Sequence, residues 1–503
     1  MRNYSTYILT GAILLSLASS CKKDFLDQTP EASLAGSNFY KTESDIKQAV
    51  NGTYAANRDM GLVSYWLFGE MRSDNTTYQY NPADRGLEQR EFIDQFLVGA
   101  TAEPLQLYWQ QNYTGIARSN EIIARIGDIT MTDALKNQYT GEALFLRAFN
   151  YYNLVVQFGG VPLRLTAAQS PADAISKGRA TVDEVYAQII ADLKDAAIKL
   201  PAKYVAADLG RATQGAALSL LGKVYMMQKK YPEALTELRK VQTLGYSLMP
   251  NYSDVFSPSQ KNNIESVFEI QYLGSQPALA SNFMYQFAPW NSGSIVTGDA
   301  GTPLGSGNGW NIPTQDLINA YEAGDIRKDV SLAVGFTDLT GKFQNLAYVK
   351  KYNHGFVDRG RTDDNFPVIR YADVLLMIAE CLNEQGFAAG GEAFTLLNQI
   401  RSRARLEPKT AGNANPLLNV DNQQAFRVAL LQERRVELAF ENQRWTDLLR
   451  SGKAVETMIE QGKYEIANKP NVPAGSYLVT TNKLLLPIPQ REVNLDNLTQ
   501  NPN

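Results

Sequence analysis

Apolar positions recur at helical spacing through most of the chain. In residues 141–163, GEALFLRAFNYYNLVVQFGGVPL, Leu144, Ala148, Tyr151 and Val155 form one stripe, and Phe145, Phe149, Tyr152 and Val156 form a second beside it. Two adjacent stripes make a face too wide for a surface helix, so burial on most sides is expected. Arg147 and Asn150 interrupt that face. Gly159, Gly160 and Pro162 end it, because glycine accepts a left-handed C-cap and proline cannot continue the ladder. Upstream, Thr42 and Asp45 have capping-box spacing and predict a helix through Ala56, with Ile46, Val50 and Tyr54 on one face. A further helix is expected over 103–126, turning Leu107, Trp109, Tyr113, Ile116 and Ile123 mostly inward. Residues 61–102 between them are polar and aromatic without a clear period. Thr181 and Glu184 cap another helix, carrying Val185, Ile189, Leu193 and Ala197 and ending at Leu200-Pro201.

The next helices repeat. In GAALSLLGKVYMMQKKYPEALTELRKV, Leu218, Leu221, Gly222, Tyr225, Ala234 and Leu238 fall at tetratricopeptide spacings, with Gly222 allowing two antiparallel helices to approach closely. Arg147, Ala148 and Tyr151 occupy equivalent positions in the wide-faced helix. RYADVLLMIAECLNEQG with GEAFTLLNQIRSRA makes a looser third copy, and AFRVALLQERRVELAFENQRW can begin a fourth. One repeat buries too little surface to stand alone, so several must stack into a continuous core. The expected fold is mainly α, an α-solenoid of tetratricopeptide-type helix pairs. Residues 246–366 break this pattern with Gly, Ser, Asn, Pro and aromatics, a strand-like run over 266–272, and the stretch GDAGTPLGSGNGW. An irregular insertion of that length in a compact protein is usually functional. The proline-punctuated tail LLLPIPQREVNLDNLTQNPN is expected to wrap the surface.

The amino terminus has its own pattern. Arg2 precedes an apolar run over 7–17, far shorter than the roughly 20 residues needed to cross a bilayer, so residues 1–20 read as a signal peptide. Leu17-Ala18-Ser19-Ser20-Cys21 has the form of a lipobox, making Cys21 the acylated first residue of the mature chain. Several acyl chains, each methylene worth about 0.8 kcal/mol when buried, would hold it permanently in a membrane. The reading divides the chain into a signal peptide over 1–20, a lipid-anchored extended segment over 21–41, and one domain over 42–503.

Composition narrows the function. Of 503 residues 44% are hydrophobic and 20% charged, as in a folded globular protein. Lysine and arginine total 48 against 52 acids, a net charge of −4 without a basic block, which argues against a nucleic-acid partner. Loss of residues 1–20 removes Arg2 and no acid, leaving −5. The single histidine, His354, excludes His-rich metal sites and is expected to face solvent from a loop, and no cofactor motif is present. Glu433 and Glu437, a helical turn apart beside Arg434, Arg435 and Arg444, read as an ion-pair network of the fold and not as a catalytic pair.

The segments FLRAFNYYNLVVQFGGVPL, GRATQGAALSLLGKVY, NIESVFEIQY, RYADVLLMIAECLNE, ERRVELAFENQRWTDLLRSG and LLPIPQREVNLDNLTQNP, in this order and spacing, resemble the SusD/RagB family of surface glycan-binding lipoproteins. Lys22-Lys23-Asp24 is similar to the charged start of lipoproteins sent to the outer cell surface. The resemblance implies a SusD-like fold on the outer membrane, attached by lipid on Cys21 and facing the exterior. It also implies a non-catalytic protein that binds oligo- or polysaccharide and hands it to a SusC-like TonB-dependent transporter. Sugar binding asks for flat aromatic faces flanked by carboxylates, amides and arginines. Two irregular stretches supply that mixture: Arg72, Asp74, Asn75, Tyr78 and Tyr80 in the first, Tyr285, Trp290 and Trp310 in the second. Trp66, Trp109 and Trp445 lie in helical contexts and are assigned to packing. Competing readings are a tetratricopeptide-type interaction scaffold and a secreted glycoside hydrolase, the latter without any recognisable motif.

Overall fold

The computed structural model describes residues 39–502 except 84, 169, 171, 172, 174, 176, 177 and 302–306. Cys21, the signal peptide and most of the 21–41 segment lie outside the described residues.

Eleven of the helices organise the molecule: α1 (Glu43–Leu62), α2 (Glu103–Arg125), α3 (Asp133–Phe158), α4 (Val182–Lys199), α5 (Gln214–Met227), α6 (Tyr231–Gln242), α7 (Tyr371–Gln385), α8 (Glu392–Arg403), α9 (Gln423–Glu437), α10 (Arg444–Ser451) and α11 (Ala454–Asn468). Packing runs in sequence from α1 through α2, α3, α4 and α5 to α6; α7 then packs on α6, α8 and α9, giving the stacked helix pairs of a solenoid. The capping boxes at Thr42/Asp45 and Thr181/Glu184 form as their spacing predicts. Gly222 is required by the α5–α6 approach, since a Cβ there would stand 2.6 Å from the Leu238 side chain.

The wide-faced helix, α3, starts earlier than the buried stripes, at Asp133 behind the Thr132 cap, and every residue from Gly141 to Phe158 is buried. Arg147 survives there because Asp192 of α4 takes its guanidinium through two bonds of 2.8 and 2.7 Å. The helix stops at Gly159 (φ 71°), and Gly160 has no room for a side chain, its Cβ position being 2.2 Å from the Ala180 carbonyl oxygen. The unpaired Phe158 carbonyl then accepts from Arg179 Nη2 (3.1 Å) and Asn501 Nδ2 (2.9 Å), so the chain's tail closes the end of its central helix.

Two expectations are corrected. Helix α1 continues past Ala56 to Leu62, because Met60 and Gly61 bury, the latter against Ile270 and Tyr272. Residues 61–102 contain short helices at Ser64–Gly69 and Glu88–Asp94. His354 is exposed on a loop as expected, and its Nδ1 lies 2.6 Å from the buried Asp364 carboxylate.

The insertion opens and closes on one antiparallel ribbon, Ser266–Ile270 against Phe366–Arg370, so a long excursion returns to its starting point. Beneath it Glu433 and Glu437 do sit in an ion-pair network, but not with the expected Arg434, Arg435 and Arg444, which pair instead with Asp373, Asp447 and Asp74. Glu433 meets Arg327 and Arg401, and Glu437 meets Arg327, Arg370 and Arg403. Burial pushes the Glu437 carboxyl up, but Arg403, Arg370 and Arg327 outweigh it and hold it at about 2.

Candidate functional site

The two stretches singled out for ligand contact, far apart in the chain, are joined by a short antiparallel pair, Thr76 opposite Pro313 and Thr77 opposite Ile312. One residue beyond Tyr78 the backbone N–H of Gln79 donates to the Gly309 carbonyl at 2.7 Å. Gly309 takes φ 68°, and a Cβ there would lie 2.9 Å from that of Gln79, so the contact needs glycine twice over.

Gln79 then fastens the second stretch. Its Oε1 accepts from the Trp290 backbone N–H at 2.8 Å, and its Nε2 donates to Asn291 Oδ1 at 3.1 Å. The Trp290 indole Nε1 donates to the Tyr80 carbonyl at 3.2 Å. An indole held by its edge keeps its ring faces for other contacts. Trp290 is half-buried and Tyr80 is 39% exposed. The Arg85 guanidinium carbon stands 4.5 Å from the centre of the Tyr80 ring, steered by a fork to Glu91 with bonds of 2.6 and 3.0 Å. The result is two surface aromatics tied through the Tyr80 backbone, with the Asn291 amide beside Trp290 and the Arg85 guanidinium over one face of the Tyr80 ring.

The other six predicted contacts are turned inward, each held by neighbouring residues. Arg72 donates to Gln157 Oε1 (3.0 Å) and to the Lys483 carbonyl (2.6 Å). Asp74 is clasped by Arg444 (2.7 and 2.8 Å) and Arg435 (2.9 Å). Burial would push its carboxyl up, yet the Arg444 and Arg435 charges bring it below the usual range. Asn75 bridges Glu70 and Arg435, and the Tyr78 hydroxyl lies between Gln95 and Asn471. Tyr285 is buried and donates to Asp299 at 2.9 Å. Trp310 is 6% exposed, its ring 6.4 Å from that of Tyr78 and 5.6 Å from the Arg90 guanidinium carbon. The segment 70–78 lacks periodicity because polar pairs, not an apolar stripe, hold it in the interior.

Gln79, Arg85 and Asn291 escaped the sequence reading. Each lies next to or within a few residues of a named aromatic, but nothing in residue type alone marks a glutamine as the joint between two loops. Trp66, Trp109 and Trp445 are buried at 0, 2 and 0% exposure, as their helical setting predicts. Among the described residues no grouping of His, Cys, Asp and Glu side chains suits a metal ion, and no helix is long and apolar enough to cross a membrane.

Residues 336–503 match the SusD family, and residues 24–226 match the family described as starch-binding associating with outer membrane. SusD-like protein P2 of Formosa agariphila is 30% identical over 97% of each chain. The chain belongs to the SusD family. Starch-binding protein SusD of Bacteroides thetaiotaomicron is 26% identical over 74% of each chain. A solved laminarin binding SusD-like protein has a TM-score of 0.75 and 26% identity, covering 92% of this chain and 100% of that one. The helical scaffold is thus that of SusD proteins, and the Tyr80–Trp290 patch is carried by the irregular segments laid on it.

Proposed function

We propose that this SusD-family chain is a non-catalytic outer-membrane lipoprotein, anchored through Cys21. In this reading it binds oligo- or polysaccharide outside the cell and delivers it to a SusC-like TonB-dependent transporter. The observation that carries the reading is the surface placement of Tyr80 and Trp290, joined by Gln79, with the Asn291 amide beside them and Arg85 over one face of Tyr80. Sugar rings carry C–H-rich faces that rest on aromatic rings, while amides and guanidinium groups satisfy hydroxyls in the ring plane. Prefixed rings lose little freedom on contact, so little of the stacking energy is lost to ordering the site. Relatives named for starch and laminarin binding support a glucan as the ligand. The description of the family matched by residues 24–226, together with the lipobox ending at Cys21, supports the outer membrane as the location.

Hydrolysis of a glycosidic bond needs two carboxyl groups converging across it. Beside the patch the Glu91 carboxylate is committed to Arg85 through two bonds, which supports binding without cleavage. Affinity electrophoresis through gels holding laminarin, starch or xylan tests the reading. Retardation in a glucan gel, with the polysaccharide recovered at its original chain length, is expected. Unhindered migration in all three, or cleavage that persists after repurification, would contradict it.

A further inference from the structure

Five arginines are among the largest fully buried side chains: Arg72, Arg327, Arg370, Arg401 and Arg434. Four of them meet carboxylates at hydrogen-bond distance. Arg72 is the exception. Among the described residues its guanidinium meets only neutral acceptors, Gln157 Oε1 and the Lys483 carbonyl, and the ring faces of Trp445 and Phe96, at 4.6 and 5.3 Å from their centres. Those two hydrogen bonds use two of five N–H donors. A buried charge without an ionic partner is costly, and an anion arriving from solvent would relieve that cost.

A route from solvent exists. Arg72 forms part of the wall of a cleft of about 270 Å³ whose other charged residue is Lys483. No acid lines it, although acids outnumber bases in the chain as a whole. The remaining walls are apolar, including Phe96, Val98, Leu485 and Pro487. Lys483 is half-buried, and among the described residues its Nζ reaches only the Phe96 carbonyl, at 3.3 Å. An arginine and a lysine lining one cleft with otherwise apolar walls are complementary to a ligand with one anionic end and one apolar end. We infer that the Arg72–Lys483 cleft binds a small organic carboxylate bearing an apolar substituent, at a site separate from the Tyr80–Trp290 patch. Consistent with an uncompensated charge, burial alone draws the Arg72 guanidinium down to about 9. None of the residues lining the cleft belongs to the aromatic patch, so this site stands or falls independently of glycan binding.

Calorimetric titration of the full-length protein with hexanoate, hexanamide, glucuronate and sulfate tests the inference. Saturable binding of hexanoate is expected, with hexanamide, the neutral counterpart, silent and glucuronate and sulfate at least ten-fold weaker. Arg72→Gln is expected to abolish the signal. Because Arg72 also packs on Trp445, its replacement can unfold the protein, so Lys483→Met is the deciding variant, expected to remain folded and to weaken hexanoate at least five-fold. Absence of saturable hexanoate binding, equal binding of hexanamide, tighter binding of glucuronate or sulfate, or unchanged affinity in Lys483→Met would each overturn the site.

Discussion

Trp290 and Trp310 come from one Gly/Ser/Asn/Pro-rich stretch and meet opposite surroundings. Trp310 is enclosed beside Tyr78 and Arg90, whereas Trp290 is held by its backbone and ring edge at the surface. Composition could mark both as indoles with no periodic face to bury them, but not which would be covered by the neighbouring segment. The difference makes a prediction about their removal. Trp310→Ala should cost about 3–5 kcal/mol of stability through the cavity it leaves, visible as a lowered chemical denaturation midpoint. Trp290→Ala should shift stability by about 1 kcal/mol or less, as at other partly exposed positions without a buried network. Equal losses in the two variants would mean that the patch is a packing feature. The same distinction applies to Arg72, Asp74, Asn75 and Tyr78, whose polarity reads as surface in the sequence and is consumed inside by Gln157, Arg444, Arg435 and Gln95.

Helices were legible where a period and a cap coincide. The boxes at Thr42/Asp45 and Thr181/Glu184, the stripes of α3 and the Gly222 approach all follow from residue type at fixed spacing. The prolonged end of α1 was not legible, since its packing partners Ile270 and Tyr272 lie far along the chain. Segment 70–78 was hidden for a similar reason: its partners sit on α9 and α10 and in the tail. Glu70 exemplifies this, accepting from Asn75 Nδ2 and from the backbone N–H groups of Phe440 and Asn442 at 2.9 Å each, and so tying the segment to the turn after α9. Burial pushes the Glu70 carboxyl up to about 7 against those hydrogen bonds. The folded state therefore keeps a proton that the unfolded chain releases near pH 4.5, and stability from this group is full below that pH and declines as pH rises toward 7. The decline amounts to about 3 kcal/mol at most. Denaturation between pH 5 and 7.5 should show a downward slope with pH that is smaller in Glu70→Gln; an identical slope in both proteins would remove Glu70 as its source.

At the scale of the molecule, the order of helix pairs and the presence of one long irregular insertion were readable from repeats and composition. The way the insertion closes was not, because the ribbon of Ser266–Ile270 with Phe366–Arg370 and the joint of Thr76–Thr77 with Ile312–Pro313 pair residues with no local signature for each other. That joint is what converts two separate aromatic stretches into one surface. Attachment belongs to this scale too: Cys21→Ser should leave the protein out of the membrane fraction and without acyl chains, while continued acylation would place the anchor elsewhere. The central claim is that glycan is gripped where Tyr80 and Trp290 meet. Calorimetric titration of laminarin and starch into the wild type, Trp290→Ala and Tyr80→Ala tests it most directly. Loss of a stacking anchor is worth about 2 kcal/mol, roughly thirty-fold in affinity. The account predicts a weakening of that order in Trp290→Ala and a smaller one in Tyr80→Ala, with melting temperatures close to wild type. Undiminished affinity in both folded variants for a glucan that the wild type binds would contradict it.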